Sequence, residues 1–355
     1  MGINKITLDR LKQRLDDPSI KIAIIPHISA DGDAAGACSA LWQLLDRLGK
    51  EAKVLTCDYF PDYLKWLERI PDAISFQNRP GDCKRWLRDS NLLCMIDHNT
   101  FAREGDLEPL ARHFRGEVLM IDHHPDPINV DYRFSDPRVS STCEILYELI
   151  ARIWGKKIID KNIANALYTG IVTDTGGFSH NSSRPRTYRV VAELLARGLD
   201  KERVHDCLYQ RNSPWRLRLE GHCLLNKMTI EEHYPLAIIP VSLQELETFH
   251  FKDGDLEGVV NIPLTIDGVL VSVQVTERKE RVKFSFRSKG EIPVNDWARR
   301  FFNGGGHRNA AGGQLDLPLE ECLKILRESA AWFFDQRVDK NLPRPDARAG
   351  LQSRE

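Results

Sequence analysis

Three short segments combine carboxylates with imidazoles: His27-Ile28-Ser29-Ala30-Asp31-Gly32-Asp33, Asp97-His98-Asn99 and Asp122-His123-His124. A fourth acid, Asp174, lies in YTGIVTDTGGF (168–178), just before a Gly-Gly break. Taken singly, each has an ordinary explanation. An Asp after a strand commonly caps the next helix or forms a turn, and His98 alone reads as a surface polar residue. Their recurrence changes the reading. Convergent acids would repel one another at neutral pH, and bound cations relieve that repulsion. Carboxylate and imidazole donors without thiolates suit Mn2+ or Mg2+, with Zn2+, Co2+ and Fe2+ also compatible. Two such ions sharing a carboxylate stand about 3.5–4 Å apart and make a water between them a nucleophile near neutral pH. They also stabilise charge that builds on phosphoryl oxygens. Phosphoester hydrolysis then needs only a cationic clamp and a shaped pocket.

Such residues meet only if the chain brings them to one edge. From Lys21, short apolar runs (Lys21–Pro26, Lys53–Thr56, Leu92–Ile96, Val118–Ile121) alternate with helical patterns such as Asp33–Leu48 and Asp82–Asp89. Runs of that length read as strands buried on both faces, and helical crossovers between them imply a mainly parallel sheet. Ligands bind such sheets at the carboxyl ends of the strands. Three of the four runs lead directly into an acid/imidazole segment. Beyond Ser140 the pattern is helical: Ser141–Ile153, Lys161–Thr173, Pro185–Arg197, Lys201–Tyr209 and Pro214–Lys227. A second region offers strands at Leu236–Pro240, Val259–Leu264, Val269–Thr276 and Val282–Arg287. Helices at Asn295–Phe302 and Leu319–Phe334 follow, with a Gly-rich loop between them. The expected organisation is α/β throughout. A mainly parallel-sheet domain with helices on both faces spans residues 1–212, a helical linker spans 213–230, a smaller mixed α/β domain spans 231–338, and a disordered tail spans 339–355.

Composition narrows the function classes. At 355 residues two domains are the default. The net charge of −1 argues against a protein that coats long nucleic acid. No apolar run approaches the roughly 18 residues that would suggest a membrane span, the N-terminus lacks an apolar signal segment, and Ile6 stands where a myristoylation signal needs Ser or Thr. The eight cysteines are scattered singly, without a CxxC pair, and read as reduced, buried thiols. A soluble cytoplasmic protein is expected.

HxxxDGD, the DHN, the DHH triplet and the TDTGGF acid resemble, in order, the four motifs of the DHH phosphoesterase family. The second region adds Ser285-Phe286-Arg287-Ser288 and then Gly304-Gly305-Gly306-His307 with Ala310-Ala311-Gly312-Gly313. That is similar to the GGGH signature of the DHH-associated domain. The resemblance implies that His27 and Asp31 hold one metal, that Asp33, His123 and Asp174 hold the other, and that Asp97 bridges both. It places Asp122 outside the ligands, orienting a neighbouring histidine, and turns His124 toward the scissile phosphate. It implies two divalent ions, manganese first, with Mg2+, Co2+ or Zn2+ also suited, and an active site in the cleft between the two domains.

The GGGH segment also has a physical reading. A glycine run is often a plain flexible loop, but consecutive glycines let backbone N–H groups approach a phosphate. With Arg287-Ser288 upstream and Arg308 beside His307, anion binding is the expectation, and Arg287 is the candidate bidentate clamp. His98 is a candidate phosphate-facing donor. Chains of this length with a single DHH-associated domain are similar to the nanoRNase and 3′-phosphoadenosine 5′-phosphate (PAP) phosphatase group. The implied substrate is a short oligonucleotide or nucleotide, with neither long duplex DNA nor a membrane as partner, and a homodimer is common in that group. The DHN form is also similar to that of manganese pyrophosphatases, so pyrophosphate or short polyphosphate is the alternative. Cyclic-dinucleotide hydrolysis uses the same residues. A regulatory protein that binds nucleotides without turnover is the alternative from another class.

Overall fold

The computed structural model describes residues 5–337, so the tail expected over 339–355 lies outside the described residues. The chain forms two compact units, Met1–Arg211 and Asn212–Glu355.

The first unit runs α1 (Lys5–Asp16), β1 (Lys21–Pro26), α2 (Gly32–Arg47), β2 (Glu51–Thr56), β3 (Ile74–Ser75), α3 (Pro80–Asp89), β4 (Leu92–Ile96), α4 (Glu108–Arg112), β5 (Glu117–Asp122), β6 (Tyr132–Ser135), α5 (Thr142–Ile153), α6 (Lys161–Asp174), α7 (Pro185–Ala196) and α8 (Lys201–Tyr209). Six parallel strands make one sheet in the order β3-β2-β1-β4-β5-β6. The central runs are apolar because both faces are covered. Ile22 and Ile24 of β1 pack in one core with Leu11 of α1, Leu41 of α2, Ile145 of α5 and Leu167 of α6. Ala23 and Ile25 face the other way, into a core with Cys83 and Leu87 of α3 and Ala111 of α4.

Register positions the chemistry. Pro26 pairs with Ile96, and Ile96 pairs with Ile121. The residues that follow, His27, Asp97 and Asp122, therefore lie in one row at the carboxyl edge of three adjacent strands.

Helices α2 and α6 pack very closely. A Cβ on Gly36 would lie 2.4 Å from the Ala166 carbonyl oxygen, and one on Gly170 would lie 2.4 Å from Asp33 Oδ1. These glycines let the helix that carries Asp33 in its first turn approach the helix that ends at Asp174.

The second unit contains α9 (Pro214–His222), β7 (Thr229–Ile230), β8 (Leu236–Val241), α10 (Leu243–Thr248), β9 (Val271–Glu277), β10 (Val282–Ser288), α11 (Val294–Phe301), β11 (Gly305–His307), β12 (Ala310–Leu315) and α12 (Leu319–Arg337). Its six-stranded sheet runs β11-β12-β10-β9-β8-β7, antiparallel except for the β8–β9 pair. Phe284, Phe286, Trp297, Phe302 and Phe333 fill the core beneath it. Leu219 of α9 and Cys223 pack with Ile239, Val241 and Leu246.

Three sequence expectations need correction here. Val259–Leu264 is not a strand but part of a 3-10 helix, Val259–Thr265, which follows Gly258 at φ 88° and contains Pro263; proline has no N–H to give a sheet ladder. The glycine-rich stretch between the last two helices is not a loop but the edge hairpin β11–β12. The helix expected over Pro214–Lys227 stays regular only to His222, and Cys223–Lys227 widens into a π turn.

Candidate metal centre

His27 follows β1 and is buried. Its Nδ1 lies 2.9 Å from the Ile28 carbonyl oxygen. A carbonyl can only accept, so Nδ1 carries the proton and Nε2 turns to Asp31 Oδ2 at 3.8 Å and Asp97 Oδ2 at 3.6 Å. That Nε2 is buried and has no hydrogen-bond partner. His123, after β5, repeats the device: Nδ1 is 3.3 Å from the Val139 carbonyl oxygen. Its Nε2 lies 3.4 Å from Asp174 Oδ2, 3.7 Å from Asp97 Oδ1 and 3.8 Å from Asp33 Oδ2. Histidines that ligate metals are commonly oriented in this way.

The carboxylates are held as firmly. Asp31 caps α2, with Oδ1 accepting from the N–H groups of Asp33 (3.0 Å) and Ala34 (3.1 Å). The same side chain thus serves as cap and faces the centre. Asp33 sits at the N-terminus of α5, where the Thr142 and Cys143 N–H groups donate to Oδ2 and Oδ1 at 2.6 and 2.9 Å. Asp97 receives the Thr142 hydroxyl at 2.7 Å on Oδ1 and adopts φ 63°. Among non-glycine residues Asp tolerates that left-handed geometry comparatively well. Thr142 escaped the sequence reading; its one visible signal is the capping pattern Ser141-Thr142-Cys143-Glu144, in which the Ser141 hydroxyl accepts from the Glu144 N–H.

Of the donor groups compact enough to hold an ion, His27/Asp31/Asp97 and Asp33/His123/Asp174 lie on the two sides of Asp97, and Asp97/Asp122/His124 is a further such group. Asp97 lies with Oδ2 toward His27 and Oδ1 toward His123. Electrostatics follow the crowding of charge. Burial and the Arg103 guanidinium act to lower the His27 pKa, but Asp31 and Asp97 outweigh them and raise it to about 10. Burial likewise opposes protonation of His123, and Asp174, Asp97 and Asp33 raise its pKa to about 9. Burial together with the Asp97 and Asp174 charges pushes Asp33 well above the carboxylate range. Burial also acts to raise Asp97, yet the three histidines bring it down to about 2. The site demands positive charge, and divalent cations fit these donors.

Asp122, at the end of β5, is fully buried. It accepts from His124 twice, at 2.7 Å from Nδ1 and 3.0 Å from the backbone N–H. Burial and the Asp97 charge raise its pKa to about 6.

The remaining candidates divide differently. His98 does not face the centre: its side chain is fully buried, with Nδ1 2.9 Å from the Ile96 carbonyl oxygen and Nε2 2.8 Å from Glu104 Oε1. Both nitrogens are engaged, so the phosphate-facing role expected from the sequence is corrected. The Ser288 hydroxyl is also occupied, donating to the Ile292 carbonyl at 2.7 Å and accepting from Asn309 Nδ2 at 2.9 Å; it closes a turn instead of offering itself to a ligand. Arg308 pairs with Glu291 at the surface. Arg287 is half-buried on β10 with Nη1 donating to the Phe286 carbonyl at 2.9 Å. Gly305, Gly306 and His307 pair with Gly312, Ala311 and Ala310. Gly304 precedes that strand, and a Cβ there would lie 2.0 Å from the Gly312 carbonyl oxygen. Gly304 therefore has a packing reason to be glycine, whereas Gly305 has none: its nearest neighbour would be Arg299 Nε at 3.8 Å.

Comparison with known proteins identifies the family. The DHH family N-terminal domain matches residues 21–171, and the DHHA1 domain matches residues 241–333. The chain is 30% identical over 313 residues to the bifunctional oligoribonuclease and PAP phosphatase NrnA of Thermus thermophilus, spanning 86% of this chain and 89% of that one. The protein of the same description from Bacillus subtilis is 29% identical over 307 residues, spanning 85% and 91%. Among solved structures, an exopolyphosphatase-related protein from Bacteroides fragilis is 34% identical with a TM-score of 0.88, covering 96% of this chain and all of that one. No helix among the described residues is long and apolar enough to cross a membrane.

Proposed function

This chain belongs to the DHH family, and from that premise we propose that it is a two-metal phosphoesterase acting on short oligonucleotides, linear dinucleotides and PAP. The observation that carries the reading is the orphaned, buried Nε2 of His27 facing Asp31 and Asp97, with the matching His123 group on the far side of Asp97. His27 and Asp31 would hold one ion, Asp33, His123 and Asp174 the other, and Asp97 both. Divalent ions there, manganese first, would supply Lewis acidity to phosphoryl oxygens and lower the pKa of a coordinated water. The chain's own residues do the rest. The amides of Thr142 and Cys143 hold the Asp33 carboxylate aimed at the centre. Asp122 fixes the Nδ1 proton of His124, so Nε2 is the atom through which His124 would meet a phosphoryl oxygen or the leaving group. Arg287 and His307 on the second unit are the proposed anion-binding groups.

The named relatives act on oligoribonucleotides and PAP, and a chain of net charge −1 suits a substrate with few phosphates. All eight cysteines are unpaired and buried, which supports a reducing compartment, the cytoplasm. The test is a hydrolysis panel on purified protein with Mn2+, with an EDTA control. It compares PAP, pApA, pGpG, a five-nucleotide RNA, cyclic dinucleotides and pyrophosphate. Mononucleotide release from the short RNA or dinucleotides, and phosphate release from PAP, are expected. Activity confined to pyrophosphate, or none with any divalent metal, refutes the proposal.

A further inference from the structure

The turn after β4 carries a cation that nothing above employs. Arg103 lies in the 3-10 segment Phe101–Leu107 and is half-buried. Among the described residues its guanidinium makes no hydrogen bond, ion pair or ring contact. Its place is nonetheless well defined. The Arg103 carbonyl accepts from the Ile28 N–H at 2.7 Å, which sets residue 103 against the turn that leaves His27. Two residues on, Gly105 has φ 59°, and a Cβ there would lie 2.8 Å from Ile28 Cδ1 and 2.7 Å from Cys57 Sγ. The segment is thus clamped onto the His27 side of the centre.

That backbone bond sets the cation beside the turn that carries His27 and Asp31. A guanidinium beside donors arranged for a cation is electrostatically unfavourable on its own, since it repels the ion those donors would hold. The arrangement balances when an anion lies between them. Guanidinium suits phosphate in particular, because its planar fork offers two parallel N–H donors.

The same segment explains His98. The His98 Nε2–Glu104 Oε1 contact of 2.8 Å joins two side chains with no solvent exposure. A buried pair of this kind is weak evidence for stability but is well suited to fixing one local arrangement. It ties the residue after Asp97 to the residue after Arg103.

We propose that Arg103 binds a phosphoryl oxygen of the substrate beside the His27/Asp31 half of the centre, and that the buried His98–Glu104 pair is the positioning device that holds it there. This rests on the phosphoesterase reading, and the test separates the two. Inorganic phosphate is titrated calorimetrically into the Mn2+-loaded protein, and kcat and KM are measured for PAP and pApA. For Arg103→Ala, phosphate affinity falls about 10- to 100-fold, the loss expected for charge-assisted hydrogen bonds. The fall in kcat/KM is comparable and appears mainly in KM, Mn2+ stoichiometry is unchanged, and Arg103→Lys is intermediate. Glu104→Ala raises KM in the same direction, Glu104→Gln restores most of it, and Arg103→Ala/Glu104→Ala is no worse than Arg103→Ala alone. Phosphate affinity within about twofold of wild type in Arg103→Ala, or loss of Mn2+ from it, overturns the assignment. Additive losses in the double variant overturn the positioning half. If the wild type turns over no nucleotide, the hydrolase reading fails while the phosphate titration still decides Arg103.

Discussion

Replacing Thr142 with Val isolates a single contact at the centre. The side chain is fully buried, and Val fills nearly the same volume with the same branching at Cβ. The backbone N–H still reaches Asp33 Oδ2. What disappears is the hydroxyl that donates to Asp97 Oδ1 at 2.7 Å. A hydrogen bond to a charged group contributes about 1.5–3 kcal/mol, and about 1.4 kcal/mol is tenfold in an equilibrium constant. Part of that loss is recovered when a bound cation takes over the charge on Asp97, so the lower end applies: Mn2+ affinity falls about 10- to 30-fold. Mn2+ titration against a competing chelator measures it, with hydrolysis followed at rising Mn2+. Activity should recover toward wild type as Mn2+ is raised, and Thr142→Ser should behave almost as wild type. If Thr142→Val binds Mn2+ as tightly as wild type and hydrolyses at the same rate, the hydroxyl does not position Asp97 and the reasoning fails.

Other expectations concern the same geometry. Asp97→Ala removes the carboxylate between the two donor groups and should abolish hydrolysis while circular dichroism stays native; undiminished turnover excludes a shared ligand. His27 and His123 have pKa values raised from 6.5 to about 10 and about 9. In the metal-free protein their protonation contributes stability that is complete below pH about 6.5 and is lost as pH rises through 9 to 10. Divalent metal must displace those protons, so the rise in Tm produced by Mn2+ over EDTA should grow from pH 6 to pH 9, and a shift that shrinks over that range contradicts the assignment. Gly304→Ala forces a Cβ to within 2.0 Å of the Gly312 carbonyl oxygen and should cost about 1–3 kcal/mol of stability. Gly305→Ala meets nothing closer than 3.8 Å and should leave Tm unchanged; thermal melts of the two variants compare them directly.

Much of the first unit was legible in the sequence, for a physical reason. β1 and β4 match their apolar runs to the residue because strands covered on both faces are uninterrupted by polar positions. β3 and β6 are edge or near-edge pieces of two and four residues and carry no such run. The hairpin β11–β12 was invisible because glycine and alanine have no strand preference; it forms because backbones can approach where side chains are absent. The ligand candidates were legible because three strand ends repeat one residue chemistry, and the register aligns those ends. His98 misled because the sequence shows its neighbour, Asp97, but not the buried Glu104 that engages it. Thr142 was hidden because its contribution comes from a helix start, where the backbone supplies two of the three hydrogen bonds.

Every residue of the two donor groups belongs to Met1–Arg211, and this gives the molecule an order of assembly in time. A ribosome that has passed Arg211 has made the whole centre, including the crossover that brings β1 beside β4. At roughly 5–20 residues per second, the remaining two-fifths of the chain takes on the order of ten seconds. The nascent first unit can therefore fold and take up cations while the second is still being synthesised, and the metals it acquires are set by what the cell offers at that moment.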